Sequence, residues 1–181
     1  MAKHEQSAGK TDEWYTPSHV FQALGCIFDD DVASPGGHLT QWIPAKRFIT
    51  RDSLSMVWKG LVWMNSPFGG RNGLVPWLDK FFEHGNGIAL VPDRTSAPWW
   101  QQFAPKSDLA LFISPKLKFI GGEEAQLLGL VDRAGDPGDS PAQGTCLLGS
   151  GRHAAEALRR AASEGLGVLF RPVSSNDGVS K

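Results

Sequence analysis

The chain has 181 residues, of which 41% are hydrophobic and 20% charged, and its net charge is −1. That length suits one domain built on a single core and leaves no room for a second full domain. No apolar run reaches the roughly 18 residues that a membrane-spanning helix needs, so no membrane partner is expected. Two distant cysteines, Cys26 and Cys146, and five scattered histidines fit neither a disulfide framework nor a zinc-ligand spacing, so no metal is expected. The charge is unevenly spread: residues 46–118 carry ten Lys and Arg against five Asp and Glu. A basic middle on a near-neutral chain suits localised contact with phosphates.

In chain order, the polar stretch 1–12 reads as a disordered leader, 13–171 as the folded domain and 172–181 as a disordered tail. Ser18 to Leu24 reads as a helix with Thr16 as N-cap and Pro17 in its first turn. Cys26 to Ala33 reads as a strand whose acidic end runs into Ser34-Pro35-Gly36-Gly37. Arg47 to Thr50 is a short strand. Leu61 to Asn65 is a buried strand stopped by Ser66-Pro67-Phe68-Gly69-Gly70. Val75 to His84 is an amphipathic helix that can turn Trp77, Leu78, Phe81 and Phe82 to one face. Gly87 to Val91 is a strand and Ala97 to Phe103 a helix. Leu109 to Ile113 and Leu117 to Ile120 read as strands. Gly121 to Gly144, rich in Gly, Pro and Asp, reads as a mobile loop. Thr145 to Leu148 is a strand, His153 to Ser163 a helix and Gly167 to Phe170 a last strand. This alternation predicts an α/β fold with an open, mostly parallel sheet flanked by helices. Ligands of such sheets bind outside the carboxyl ends of the strands, and Asp31, Asp52 and Asn65 fall at such ends.

The segment with the most chemical content is Asn65-Ser66-Pro67-Phe68, directly after the apolar strand. It resembles the (Asn/Asp/Ser)-Pro-Pro-(Tyr/Phe) motif of methyltransferases that act on planar nitrogens. The residue types suit that task. An exocyclic adenine amine has its lone pair delocalised into the ring and is a poor nucleophile. Two acceptors facing its two N–H groups favour a more pyramidal nitrogen with a freer lone pair. The Asn65 side-chain carbonyl and the main-chain carbonyl of Ser66 can be those acceptors. Pro67 fixes the turn, and Phe68 offers a flat face for a base to stack on.

The companions occur in a telling order. Trp14-Tyr15-Thr16-Pro17 resembles the Thr-Pro segment that holds the carboxylate of the cofactor's methionine moiety. Phe28 to Gly37 resembles the first cofactor motif, with Asp31 meeting the ammonium group, although the usual Phe-x-Gly-x-Gly is absent. Asp52-Ser53-Leu54 resembles the acidic position that accepts from the cofactor's adenine amine. Together with Val57-Trp58-Lys59-Gly60, Leu90 to Ser96 and Lys118-Phe119-Ile120, these stretches resemble the phage-associated adenine-N6 DNA methyltransferases of the Dam family, over about Glu13 to Phe170. The resemblance implies a Rossmann-like methyltransferase fold with no separate target-recognition domain. It implies S-adenosylmethionine as cofactor, double-stranded DNA as partner, a phage or prophage origin, and the cytoplasm of a bacterial host as the place of work. Asn65, Ser66, Pro67 and Phe68 are then the catalytic segment, Thr16, Pro17, Asp31 and Asp52 the cofactor contacts, and Arg71 and Arg94 the DNA contacts. Two departures stand out: Ser66 replaces the usual first proline, and Ser114-Pro115-Lys116 replaces an expected Gly-Arg. Related motifs methylate RNA adenines and protein glutamines, and a silent DNA-binding relative would keep the same fold.

Overall fold

Apolar runs too short for helices, stopped by Gly, Pro or Asp, become strands here, and the amphipathic stretches between them become helices. The computed structural model describes residues 14–68, 73–139, 141 and 143–173. The first elements are β1 (Trp14–Tyr15), α1 (Ser18–Leu24), β2 (Phe28–Asp31), β3 (Ala45–Phe48) and β4 (Val62–Met64). Then follow α2 (Val75–His84), β5 (Gly87–Pro92), α3 (Pro98–Phe103), β6 (Leu109–Ile113) and β7 (Ile120–Gly121). The chain closes with α4 (Glu123–Leu127), β8 (Thr145–Ser150), α5 (Arg152–Ser163) and β9 (Gly167–Phe170). Residues 1–13 and 174–181, which hold the expected leader and most of the expected tail, lie outside the described residues, as does Arg71. Among the described residues, no helix is long and apolar enough to cross a membrane.

Seven strands form one sheet in the order β3-β2-β4-β5-β8-β6-β9. The chain leaves β2 for β3 on one side and returns to β4 on the other, and all three of these strands are parallel. The strand order therefore reverses at β2, which opens a crevice at the carboxyl ends of β2 and β4. β5 continues the parallel half. β8 then enters antiparallel between β5 and β6, and β9 pairs antiparallel with β6 at the edge. The expected mostly parallel sheet thus holds for the half that carries the site. In the other half every pairing is antiparallel.

Both faces of the sheet are covered. α1 and α5 bring Phe21, Leu24, Ala154 and Leu158 against Trp63, Ile88 and Leu111 on one face. α2 and α3 bring Leu78, Phe81, Trp100 and Phe103 against Val62, Met64 and Ala89 on the other. With helices on both sides, central strands read as continuous apolar runs, and Val62, Trp63 and Met64 are all fully buried.

Three expectations need correction. Leu117 to Ile120 is not a strand of the sheet. Leu117 and Phe119 are buried while Lys118 is exposed, so the alternation is real, but the sheet edge beside β6 belongs to β9. Only Ile120–Gly121 pairs, as β7, with the unforeseen strand β1. Thr16 is not the helix cap: Pro17 occupies that position in extended conformation, with Val20 N–H donating to its carbonyl at 3.2 Å. The stretch Gly121 to Gly144, in its described residues, is a folded excursion. It contains α4 and is tied back by Gly135 N–H to the Gly121 carbonyl at 2.9 Å and by Gly138 N–H to the Phe119 carbonyl at 2.8 Å. Gly129 and Gly135 take positive φ at its turns.

Candidate active site

The three consecutive aspartates of β2 divide into two kinds. Asp30 is buried and accepts a forked pair of hydrogen bonds from Arg47, with Nε at 2.7 Å, and a third from the Lys59 backbone N–H at 2.7 Å. Asp29 accepts from Lys46 Nζ at 2.7 Å and from the Leu61 N–H at 2.8 Å. These two carboxylates pin β2 to β3 and to the entry of β4, so they set the register that places the site. Asp30→Ala is expected to cost about 2 kcal/mol of stability, because it removes charged hydrogen bonds and leaves the Lys59 N–H without its acceptor. Chemical denaturation checks this.

Asp31 is different. It is 2% exposed, and among the described residues no cation pairs with it. Its partners are local: the Ala33 N–H at 3.4 Å and the Ser34 hydroxyl. Burial pushes its carboxyl up to about 6, against the weaker opposing pull of those two hydrogen bonds. Opposite it in the sheet stands Trp63, whose indole N–H is buried without an acceptor.

Asn65 follows β4 directly, one strand away from Asp31. Its Nδ2 donates to the Trp14 carbonyl at 3.3 Å. That bond orients the amide and leaves Oδ1 as an acceptor. Ser66 is 2% exposed, and its hydroxyl is buried without a partner. Pro67 is exposed, and Phe68 is 37% exposed.

The segment Trp14 to Thr16 bridges the crevice. Its Trp14 carbonyl holds Asn65 at the end of β4, and its Thr16 carbonyl accepts from Trp42 Nε1 at 2.8 Å, in the loop that follows β2. The Thr16 side chain is 1% exposed and its hydroxyl has no partner. Pro17 follows, capping α1. Asp52 lies beyond β3 and is exposed. Its φ of 52° is left-handed, a conformation that costs a non-glycine residue on the order of 1–3 kcal/mol and persists only where neighbours over-determine it. Arg94 lies just past β5, where its Nε donates to Gln143 Oε1 at 2.6 Å.

The structure therefore brings Asp31, Asp52, Asn65 and Arg94 to the carboxyl ends of four neighbouring parallel strands, with Thr16 tied to the same end. Among the described residues at this end of the sheet, the buried Asp31 carboxylate has no cation beside it, and the Thr16 hydroxyl, the Ser66 hydroxyl and the Trp63 indole N–H are buried without partners. A ligand with a cationic group would satisfy the first, and hydrogen-bonding groups would satisfy the others. Sequence reasoning missed Trp14 as the residue that orients Asn65. A main-chain carbonyl leaves no mark on residue type, so no motif could have named it.

The family model described as DNA N-6-adenine-methyltransferase (Dam) matches residues 3–130. The match takes in every described site residue from Thr16 to Arg94 and ends before β8, α5 and β9. No curated protein and no solved structure matches the chain.

Proposed function

The chain belongs to the DNA N-6-adenine-methyltransferase (Dam) family, and on that premise we propose that it transfers a methyl group from S-adenosylmethionine to the exocyclic N6 amine of adenine at a specific site in double-stranded DNA. The observation that carries this reading is the orientation of Asn65. At the switch point of the sheet its amide nitrogen is engaged by the Trp14 carbonyl, which leaves its oxygen as the acceptor that this reading requires. The reading takes residues 13–171 as one Rossmann-like methyltransferase unit. The reversal of strand order at β2 supports it.

The target adenine has to leave the duplex to reach such a crevice. Phe68 receives the flipped base by stacking, worth about 1–3 kcal/mol for contacts of this kind. Asn65 Oδ1 and the Ser66 carbonyl accept the two amine N–H groups. The bound cofactor supplies an electrophilic methyl group. Asp31 receives its ammonium, the Thr16 hydroxyl donates to its carboxylate beside Pro17, and Asp52 accepts from its adenine amine. The residues fit this group, since the Thr16 hydroxyl is buried without a partner and the buried Asp31 carboxylate has no cation beside it among the described residues. Arg94 and Arg71 contact phosphate. A phage or prophage gene working in a bacterial cytoplasm is the setting that the family resemblance favours.

Radiolabelled methyl transfer to DNA, RNA and protein from a single preparation tests the proposal. The expected result is label in DNA alone, recovered as N6-methyladenine. Label confined to RNA or protein would move the activity to another acceptor, and no label in any of them would make the chain a silent relative.

Ser66 in place of the family's proline is expected to leave the enzyme active. The chemistry uses the main-chain carbonyl, which serine also has, and Pro67 already biases Ser66 toward extended backbone. Proline would add only rigidity, about 0.4–1 kcal/mol where the geometry fits. Ser66→Pro should therefore stay within about tenfold of the wild-type single-turnover rate, a span of about 1.4 kcal/mol. Restoration of an otherwise inert wild type by Ser66→Pro would show that the serine is disabling.

A further inference from the structure

The strained residue Asp52 heads a short 3-10 turn, Ser53–Ser55, and its carbonyl accepts the Ser55 N–H at 2.8 Å. That turn is held from outside by one ammonium. Lys80, on α2, donates from Nζ to the carbonyls of Ser53 at 3.0 Å, Leu54 at 2.7 Å and Met56 at 2.5 Å. Three donors on one nitrogen are thereby spent on three carbonyls of one turn, and no acidic side chain forms an ion pair with it among the described residues. The same nitrogen stands 4.9 Å from the centre of the Trp58 ring, a cation–π arrangement. Trp58 in turn donates from Nε1 to the Ser53 carbonyl and hydroxyl, each at 3.0 Å. One helical turn on from Lys80, His84 Nε2 lies 2.8 Å from the Gly60 carbonyl. The outer face of α2 thus clamps the whole stretch from the Asp52 turn to the start of β4.

We propose that Lys80 is a positioning residue for cofactor binding, acting through Asp52: its ammonium locks the Ser53–Ser55 turn and so holds Asp52 in the left-handed conformation that presents its carboxylate to the crevice. This rests on the reading of Asp52 as a cofactor contact. Without the ammonium, the turn keeps only its internal backbone bonds and the Trp58 donation, a weaker hold against relaxation of Asp52 to an ordinary backbone region, which would swing its side chain away.

The test is calorimetric binding of S-adenosylhomocysteine, a non-reactive probe, to the full chain as wild type, Lys80→Met, Lys80→Arg, Asp52→Ala and the double variant Lys80→Met/Asp52→Ala, with each fold checked by thermal melting. Lys80→Met is expected to weaken binding about tenfold, which is about 1.4 kcal/mol, while the single-turnover rate at saturating cofactor stays within about twofold of wild type. Lys80→Arg, which keeps several donors, should recover part of the loss. The double variant should bind no worse than Asp52→Ala alone, because both changes remove the same contact. Losses that multiply in the double variant, or wild-type binding by Lys80→Met when Asp52→Ala is impaired, would overturn the positioning role and leave the cofactor reading of Asp52 standing. Wild-type binding by Asp52→Ala would overturn that reading itself. Should Lys80→Met melt below the assay temperature, Lys80→Gln takes its place in the same comparison, and the same outcomes decide.

Discussion

Asn65→Ala is expected to reduce methyl transfer to DNA by at least a thousandfold while leaving cofactor affinity within about twofold of wild type. A thousandfold loss is about 4 kcal/mol of transition-state stabilisation, the upper range for removing one preorganised polar group at a reacting centre. The expectation is this large because two things go at once. The Oδ1 acceptor that faces the amine disappears, and so does the tie to Trp14 that holds the end of β4 against β1. Asn65→Asp separates the two contributions. It keeps an acceptor toward the base but sets a carboxylate against the Trp14 carbonyl, an acceptor facing an acceptor. Its rate should fall between those of wild type and Asn65→Ala. Single-turnover rates on one DNA substrate, with cofactor affinity from calorimetry, decide the matter. An Asn65→Ala enzyme that retains a tenth of the wild-type rate would remove Asn65 from the chemistry.

The elements that could be read in advance are those whose pattern and punctuation agree. α1 and α2 occupy the expected Ser18 to Leu24 and Val75 to His84, and each ends at a glycine with positive φ, Gly25 and Gly85, where the chain turns left-handed at no steric cost. β6 and β9 also match their expected spans. What the chain did not disclose is decided by neighbours distant in sequence. Asp29, Asp30 and Asp31 are alike as letters. Only the arrival of Lys46, Arg47 and the Lys59 and Leu61 backbones tells two structural carboxylates from one without a cation. β1 is two residues long, too short for any periodicity, yet its carbonyl sets the Asn65 amide. The helix α4 and the backbone ties within the excursion after β7 are hidden for a related reason: Gly, Pro and Asp mark turns and say nothing of what those turns pack against.

Asp31 carries the second large expectation, in which stability and binding move in opposite directions. Its carboxyl titrates at about 6 in the fold, because burial disfavours the charge, and near the ordinary value of about 3.9 in the unfolded chain. Between these values the folded protein holds a proton that the unfolded chain has released. Stability without cofactor is therefore highest below about pH 4, as far as this group decides it, and falls as pH rises toward about 6. Above that, the ionised carboxylate costs the fold on the order of 2–3 kcal/mol. Asp31→Asn removes the charge and keeps the shape, so at pH 7.5 the cofactor-free variant should melt roughly 4–10 °C above wild type. Its dependence on pH between 4 and 7 should flatten as well. Asp29 and Asp30 have cationic partners and give no comparable gain. The same substitution should weaken S-adenosylmethionine binding about a hundredfold, about 2.7 kcal/mol, since the ammonium then meets a neutral amide. In the wild type, affinity should drop as pH falls through about 6, because protonated Asp31 has no charge to offer. Melting curves across pH, with calorimetry at pH 5 and 7.5, check both halves. A variant that melts higher but binds as wild type would make Asp31 a buried carboxylate with no ligand. A variant that binds weakly yet melts no higher would mean that the carboxylate is solvated and its strain is absent.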